Sequence, residues 1–236
     1  MEFFDDKQSD LLERQNSLKD KIKCTDNFKI SDIKTVAGVD LAYWQDNEEE
    51  YAVCCIVVLD MNTHEVIETQ HSSGRITVPY LPGFLAFREL PLVEKTAALL
   101  TNSPDLYIFD GNGYLHPRHM GLATHASFFL GKPTIGVAKT YYRIDKKTDY
   151  TEPDAEAGSY TDIVIDGEVY GRALRTHSNV KPVFVSIGNN ISLETATDIT
   201  MGLVTDESHI PLPTRLADIE THVQRTLLNP DGVNEE

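Results

Sequence analysis

The stretch DLYIFDGNGYLHPRHMG, residues 105–121, begins as a short run of apolar and aromatic residues. Such a run, bounded by turn signals, is typical of a buried β-strand. The run ends at Asp110, and two glycines, a histidine and an arginine follow within the next eight positions. Ligands of α/β proteins favour the carboxyl ends of strands. The aspartate and the glycine loop therefore indicate a functional site at the edge of a sheet.

Two apolar segments nearer the N-terminus, residues 34–44 and 51–61, are joined by a polar turn and predict an antiparallel strand pair. A third strand is expected from about residue 64. Strands and helices then alternate, which predicts a mixed α/β sheet with helices on its faces. Helices are expected at residues 8–23, 83–100, 119–130 and 192–204. Further strands are expected at residues 104–110, 132–140, 168–176 and 181–188.

The length of 236 residues suits one domain, and no linker rich in Gly, Ser or Pro divides the chain. We expect a single domain over residues 1–236, with its core at about 30–220 and a flexible C-terminal tail. Cys24, Cys54 and Cys55 form no disulfide pattern, and the adjacent pair is expected to pack as small hydrophobes. The first residues show no signal peptide, and no apolar run is long enough to span a bilayer. We therefore expect a cytoplasmic monomer with no membrane partner.

The net charge of −16 argues against bulk electrostatic attraction to nucleic acid. Acidic residues crowd into a few segments, residues 46–50, 145–156 and 235–236, whereas basic residues are frequent between residues 88 and 143. A local cationic groove on an acidic body is compatible with this distribution. Solvated acidic loops are enough to explain the charge runs themselves.

Three carboxylates stand out because of their places in the predicted elements. Asp40 lies inside the apolar run VAGVDLAYW, Asp110 ends a strand, and Glu89 is close to Pro91, which interrupts a predicted helix. Together they offer the oxygen ligands that Mg²⁺ prefers, and two such ions can clamp both reacting oxygens of a phosphodiester. Structural interpretations remain open: a turn cap or arginine partner for Asp40, a loop start for Asp110, and a solvated helix position for Glu89.

The residues after the strand-ending aspartate have two interpretations each. His116 could donate a proton or contact a phosphate and Arg118 could clamp a phosphate, or both could be ordinary loop residues. Gly111 and Gly113 could serve a turn or let a flat ligand lie against bare backbone. Lys139 ends the predicted strand PTIGVAK, where it could reach a phosphate or simply be solvated.

The segment PYLPG, residues 79–83, holds two large apolar side chains between prolines. It could be a rigid wedge that inserts between stacked bases. It could equally be a buried connection between two elements. On physical grounds alone we favour the buried connection.

Five segments resemble those of the endonuclease V family, the deoxyinosine 3′-endonucleases: VAGVDLAY, PYLPGFLAFRE, DLYIFDGNGYLHPRHMGLATH, PTIGVAKT and LPTRLAD, in this order. The resemblance extends from residue 36 to residue 218 and implies a ribonuclease-H-like core. It also implies Mg²⁺ dependence, with Mn²⁺ as a substitute, and cleavage of one strand on the 3′ side of a hypoxanthine nucleotide. The implied role is DNA repair, and the implied partner is DNA, or RNA, that contains inosine.

The resemblance implies roles for individual residues. The implied metal ligands are four carboxylates: Asp40, Glu89, Asp110 and Asp218. The implied wedge is the proline-flanked segment of Pro79, Tyr80, Leu81 and Pro82. The implied lesion pocket lies around two glycines and a histidine: Gly111, Gly113 and His116. Arg118 would border this pocket or the phosphates. Lys139 matches a lysine near the scissile phosphate and would act in catalysis with Asp40, Glu89 and Asp110.

One position departs from the family's pattern, in which Gly-His commonly follows the strand that matches VFVSIG. Here Gly188 is followed by Asn189, which bears on substrate preference and not on the metal site. Three other functions stay open. They are a nuclease of the same fold that prefers inosine-containing RNA or structured DNA, a catalytically decayed nucleic-acid-binding module, and an α/β protein that acts on a small phosphate ester.

Overall fold

The computed structural model of the chain describes residues 2–145 and 148–230. Its strands are β1 (Thr35–Asp46), β2 (Glu49–Asp60), β3 (Val66–Arg75), β4 (Leu106–Asp110), β5 (Thr134–Ala138), β6 (Tyr160–Ile165), β7 (Glu168–Leu174) and β8 (Val183–Asn189). Its helices are α1 (Glu2–Lys19), α2 (Leu85–Ala97), α3 (Leu122–Leu130), α4 (Leu193–Gly202) and α5 (Leu212–Leu228). The strands form one sheet in the order β3-β2-β1-β4-β5-β8-β7-β6. The predicted single-domain α/β fold with a mixed, ribonuclease-H-like sheet is confirmed.

The centre of the sheet explains why two aspartates meet at one edge. β1 pairs antiparallel with β2 and parallel with β4. The parallel pairing ends at Val39 opposite Phe109, one residue before Asp40 and Asp110. Because parallel strands end on the same side of a sheet, both carboxylates stand where β1 and β4 separate.

Helices cover both faces of the sheet, and each face has its own apolar core. On one face, α4 and α5 pack through residues such as Ile199 and Ala217 against the central strands. On the other face, α2 and α3 pack through residues such as Val93 and Ala126. The buried carboxylate region lies between these two layers, so residues from both faces can reach it.

Several boundaries differ from the predicted ones. β6 was not predicted. α5 was not predicted either, and it occupies residues that were expected to form the end of the core and the start of a tail. Pro91 lies inside α2 without ending it, so the predicted interruption is wrong. The last six residues of the predicted tail, 231–236, lie outside the described residues, and its flexibility stays a prediction.

Two simple expectations about the chain can be compared with the structure. The three cysteines are free, and Cys54 and Cys55 are buried, as predicted for small hydrophobes. None of the helices in the described part of the chain is both long and apolar enough to cross a membrane.

Candidate active site

Four carboxylates predicted as metal ligands come from four different elements. Asp40 lies in β1, Asp110 ends β4, Glu89 lies in α2 and Asp218 lies in α5. The hydroxyl of Thr221, one turn after Asp218, donates to Asp40 Oδ2 at 3.1 Å and ties α5 to β1. The sheet edge and the two flanking helices thus bring the four acids into one region.

Lys139, directly after β5, lies among these acids. Its Nζ is 2.7 Å from Asp110 Oδ2 and 3.7 Å from Asp218 Oδ2. Burial disfavours the charge on Lys139, but these two carboxylates outweigh it and raise its pKa above the ordinary value. The interpretation of Lys139 as a simply solvated strand end is therefore wrong. The ammonium group is a fixed positive charge at the centre of the acidic site.

Glu89 is held by a polar chain that the sequence did not reveal. It is buried, and the hydroxyl of Tyr43 donates to its Oε1 at 2.5 Å. The guanidinium of Arg88 lies 4.7 Å from the centre of the Tyr43 ring, pairs with Glu50 and donates to Val78 O at 3.0 Å. The solvated interpretation of Glu89 is therefore wrong. Tyr43 and Arg88 fix the direction of a buried carboxylate.

The acids repel one another strongly enough to shift their protonation. Burial, together with the Asp110 and Asp218 charges, raises the pKa of Asp40 to about 7. Burial and the Asp40 charge raise the pKa of Glu89 to about 7, against the hydrogen bond from Tyr43. Both shifts are the signature of carboxylates that lack enough positive charge nearby.

The donor chemistry fits a hard divalent cation. Among the described residues, no three His, Cys, Asp or Glu side chains converge as a ready-made metal site. The oxygen donors are nevertheless the type that Mg²⁺ prefers, and a cation would relieve the repulsion that raises the pKa of Asp40 and of Glu89. Asp40, Glu89, Asp110 and Asp218 are the residues that could hold it.

A cavity of about 120 Å³ lies beside the loop that follows Asp110. Asn112, two residues after Asp110, lies in its wall, and Tyr80, His116 and Tyr142 also line it. The side-chain oxygen of Asn112 is buried and accepts no hydrogen bond within the described residues. A buried acceptor without a donor is costly, and the residue that carries this one lines the cavity.

His116 is a neutral structural residue of the cavity wall. Its Nδ1 accepts from the backbone N–H groups of Arg118 and Met120, at 3.2 and 3.3 Å, so its Nε2 carries the proton and donates to Gly83 O at 3.2 Å. Burial and the Arg118 charge lower the pKa of His116 to about 3. This neutral, hydrogen-bonded state argues against His116 as a proton donor, and its contact with nucleic acid stays a prediction. It positions Gly83 beside the cavity.

Arg118 holds the same loop from the other side. Its Nε donates to Gln15 Oε1 and its Nη2 donates to Gly83 O, both at 2.6 Å. Its guanidinium lies 4.4 Å from the centre of the Phe84 ring. No carboxylate in the described residues pairs with it. Its charge at the border of the cavity therefore remains uncompensated.

The two predicted pocket glycines are needed for different reasons: Gly111 has a φ of 151°, and Gly113 is closely packed. The Gly111 N–H donates to Val137 O at 3.3 Å, and the Gly113 N–H donates to Ser186 Oγ at 2.8 Å. A Cβ on Gly113 would lie 2.1 Å from Ile187 O, so only glycine fits there. Both amides are thus hydrogen-bonded within the protein, and the place of Gly111 and Gly113 in a lesion pocket stays a prediction. Asn112, between them, lines the cavity.

The segment of Pro79, Tyr80, Leu81 and Pro82 is exposed and not a buried connection. Tyr80 is 65% exposed, although it also borders the cavity. The prediction of a buried connection was therefore wrong. Because the prolines fix the backbone on both sides, the ring is presented to solvent at the mouth of the cavity.

Asn189, the departure from the family's pattern, lies away from the cavity. Its side-chain oxygen accepts from the backbone N–H groups of Lys23 and Asn190, at 2.8 and 3.0 Å. It pairs with Thr134, at the opposite end of β5 from Lys139. The residue therefore holds the chain after α1 and is not among those that line the cavity.

Comparisons with known proteins agree with this geometry. The family model described as Endonuclease V matches residues 16–219. A curated Endonuclease V of Bacillus subtilis is 57% identical over 227 residues, which cover 96% of this chain and 95% of the relative. The crystal structure of the Bacillus subtilis protein covers 95% of this chain and 94% of its own, with a TM-score of 0.91 at 57% identity.

A second solved structure is that of Ciona intestinalis Endonuclease V in complex with a 24mer DNA containing an inosine followed by a ribo-adenosine. It covers 95% of this chain and 99% of its own, with a TM-score of 0.82 at 29% identity. The family match spans more than half of the chain, and the acids and the cavity lie within it. The chain therefore belongs to the endonuclease V family of metal-dependent nucleases.

Proposed function

We propose that the protein is a Mg²⁺-dependent endonuclease that nicks a nucleic-acid strand on the 3′ side of deoxyinosine or inosine, in DNA repair. One observation carries this proposal. The cavity beside the loop that follows Asp110 is lined by Asn112, whose buried side-chain oxygen has no donor in the described residues. The position of the cut on the 3′ side is taken from the resemblance to the family.

Hypoxanthine can supply the hydrogen-bond donor that the Asn112 oxygen lacks. It carries a hydrogen on N1, whereas adenine has a bare acceptor at the same position. A flipped hypoxanthine would therefore satisfy the Asn112 oxygen, and adenine would leave it unpaired. The cavity of about 120 Å³ has room for several water molecules, at about 10–15 Å³ of such volume for each, and so for one small flat ring. A base that pairs weakly also costs less to flip out of a duplex.

Different residues of the site would bind the metal, contact the phosphate and position a metal ligand. The implied metal ligands, Asp40, Glu89, Asp110 and Asp218, would hold Mg²⁺. Mg²⁺, when bound, would neutralise the charge that develops on the phosphate and activate water for in-line attack. Lys139 is 41% exposed and held by Asp110, so it could contact the scissile phosphate and stabilise its charge in the transition state. Tyr43 would keep Glu89 directed toward the other acids.

The choice between DNA and RNA depends on contacts with the sugar. The Ciona relative was crystallised with a strand in which inosine is followed by a ribonucleotide. That observation supports inosine-containing RNA as a second candidate substrate for this protein. We further propose a cytoplasmic location, which the three free cysteines support, and a monomer.

The experiment that tests the proposal is a nicking assay. It uses matched oligonucleotides with and without one deoxyinosine, and RNA with one inosine, in Mg²⁺ or Mn²⁺. We expect a nick on the 3′ side of the lesion and none in the undamaged strands. Binding without nicking in either metal would instead support the decayed binding module. Competition by small nucleotides but not by oligonucleotides would support a small phosphate ester as substrate.

Asn112→Ala is expected to lower nicking at deoxyinosine by about tenfold, because one hydrogen bond to the flipped base is lost. Single-turnover rates on the same oligonucleotide measure the effect. Asn62→Ala is the control, since Asn62 lies in an exposed turn away from the cavity. An unchanged rate for Asn112→Ala would remove the base contact from the proposal.

Tyr80→Ala is expected to reduce nicking of duplex deoxyinosine by about tenfold and to affect single-stranded substrate less. The exposed ring would fill the gap that a flipped base leaves in a duplex, and a single strand has no such gap to fill. Phe129→Ala is the control, because that ring is 55% exposed on α3. Equal losses on both substrates would show that Tyr80 does not act as a wedge.

A further inference from the structure

A second concavity continues from the catalytic lysine. This groove has a volume of about 770 Å³ and runs from Lys139 along residues 140–143 to the start of β8. Arg143 and Lys181 both line it. Neither cation lines the cavity beside Asn112, and neither pairs with the four carboxylates of the candidate site.

The groove concentrates positive charge on an acidic protein. Lys139, Arg143 and Lys181 line it, against two acids, Asp149 and Glu152, on a chain whose net charge is −16. Glu152 is paired with Arg175 and Asp149 with Arg143, whereas Lys139 lies against Asp110 and Asp218. Lys181 is exposed and pairs with no carboxylate in the described residues. The groove is thus suited to a polyanion.

Tyr142 connects the groove with the cavity. It lines both, and its ring is nearly parallel to that of His116, with an interplanar angle of 9° and centroids 6.3 Å apart. Tyr141 and Tyr150, by contrast, pack against Phe184 in a small core. Tyr142 is therefore the groove ring that is placed to stack on a base.

We propose that this groove binds the single strand next to the flipped nucleotide. Arg143 and Lys181 contact successive backbone phosphates, and Tyr142 stacks on the base that adjoins the cavity. Cationic grooves with an aromatic platform are how proteins bind single strands without reading sequence. The placement of the flipped base rests on the proposed function, whereas the phosphate contacts do not.

In the free protein, Asp149 occupies the place beside Arg143 that a backbone phosphate of the bound strand would take. Its carboxylate pairs with the guanidinium of Arg143, and both side chains are more than half exposed, at 53% and 62%. A strand that enters the groove must displace this carboxylate. Asp149 therefore weakens binding by competition, and its removal has the opposite effect from removal of Arg143.

The test measures the binding of a fluorescein-labelled single-stranded oligonucleotide with one deoxyinosine, by anisotropy, without divalent cations and over a series of salt concentrations. Arg143→Gln and Lys181→Gln are each expected to weaken binding. Each should also reduce the slope of log Kd against log salt by about 0.7, the value for one phosphate contact on a single strand. Asp149→Asn is expected to tighten binding. A tighter complex cannot result from misfolding, and Asp149→Asn retains the side-chain oxygen that accepts from Tyr150 N–H.

Lys23→Gln is the matched control, because Lys23 is an exposed lysine at the opposite end of β8 from the groove. Salt slopes for Arg143→Gln and Lys181→Gln that equal that of Lys23→Gln would overturn the proposal. So would weaker binding by Asp149→Asn.

The same assay with an undamaged oligonucleotide separates this proposal from the proposed function. Altered slopes on both oligonucleotides, without any preference for deoxyinosine, would uphold the groove and contradict inosine recognition. Normal nicking of deoxyinosine together with unaltered salt slopes would uphold inosine recognition and contradict the groove.

Discussion

Asp110→Asn is expected to lower the nicking rate by at least about a thousandfold, at the upper end of the effect of removing one electrostatic group from a preorganised site. The substitution removes a charged oxygen from the set that would hold Mg²⁺. It also removes the partner that lies 2.7 Å from Lys139 Nζ. Two contributions to charge stabilisation at the phosphate are therefore lost at once.

The fold should tolerate Asp110→Asn well. The Asp110 charge helps to raise the pKa of Asp40, so its neutralisation relieves repulsion in the free protein. We expect a melting temperature equal to or slightly above that of the parent, by circular dichroism. Asp20→Asn, on the exposed end of the N-terminal helical region, is the control for the loss of one charge. Near-parental nicking by Asp110→Asn would exclude Asp110 as a metal ligand.

The sequence predicted those elements whose patterns are local. β1, β2, β4 and β5 are apolar runs between clear turn signals, and all four were found. β6 was missed because it adjoins an acidic loop, although Asp166 and Gly167 carry a hairpin signal. Both residues have positive φ, 51° and 85°, as such a turn requires. α5 was missed because its buried positions are small or polar residues such as Thr214, Ala217 and Thr221, whereas its large apolar residues at the C-terminal end are exposed.

The site was predictable only in part for a physical reason. Asp110 could be placed at the end of a strand and Asp40 inside another, but only the parallel pairing of β1 with β4, which ends one residue before both, brings them together. Asp218 came from the resemblance alone, since nothing local marks a helix residue that packs over β1. Asn112 was inside the quoted loop, but its unpaired oxygen is a property of packing. Tyr43 likewise gains its role only when α2 brings Glu89 to its hydroxyl.

Gly38→Ala is expected to destabilise the protein by about 3 kcal/mol or more, because overpacking against backbone cannot be relieved by a rotamer change. The added Cβ would lie 2.0 Å from Pro213 O and 2.5 Å from Thr214 N. Gly38 is fixed on both sides, since it pairs with Val57 of β2 and with Ile108 of β4. Because β1 is held on both sides, the start of α5 must shift to make room for the added Cβ.

A shift of α5 should also reduce catalysis, because this helix carries Asp218 and the Thr221 hydroxyl that donates to Asp40. We expect the melting temperature to fall by about 6–12 °C for the loss of about 3 kcal/mol in a domain of this size. We also expect nicking at 20 °C to fall by more than the unfolded fraction explains. Gly202→Ala is the matched control: no atom lies within 4 Å of its added Cβ, and alanine favours the end of α4. If both variants melt with the parent, the contact between β1 and α5 is looser than this packing requires, and Asp218 is not held over Asp40 by it.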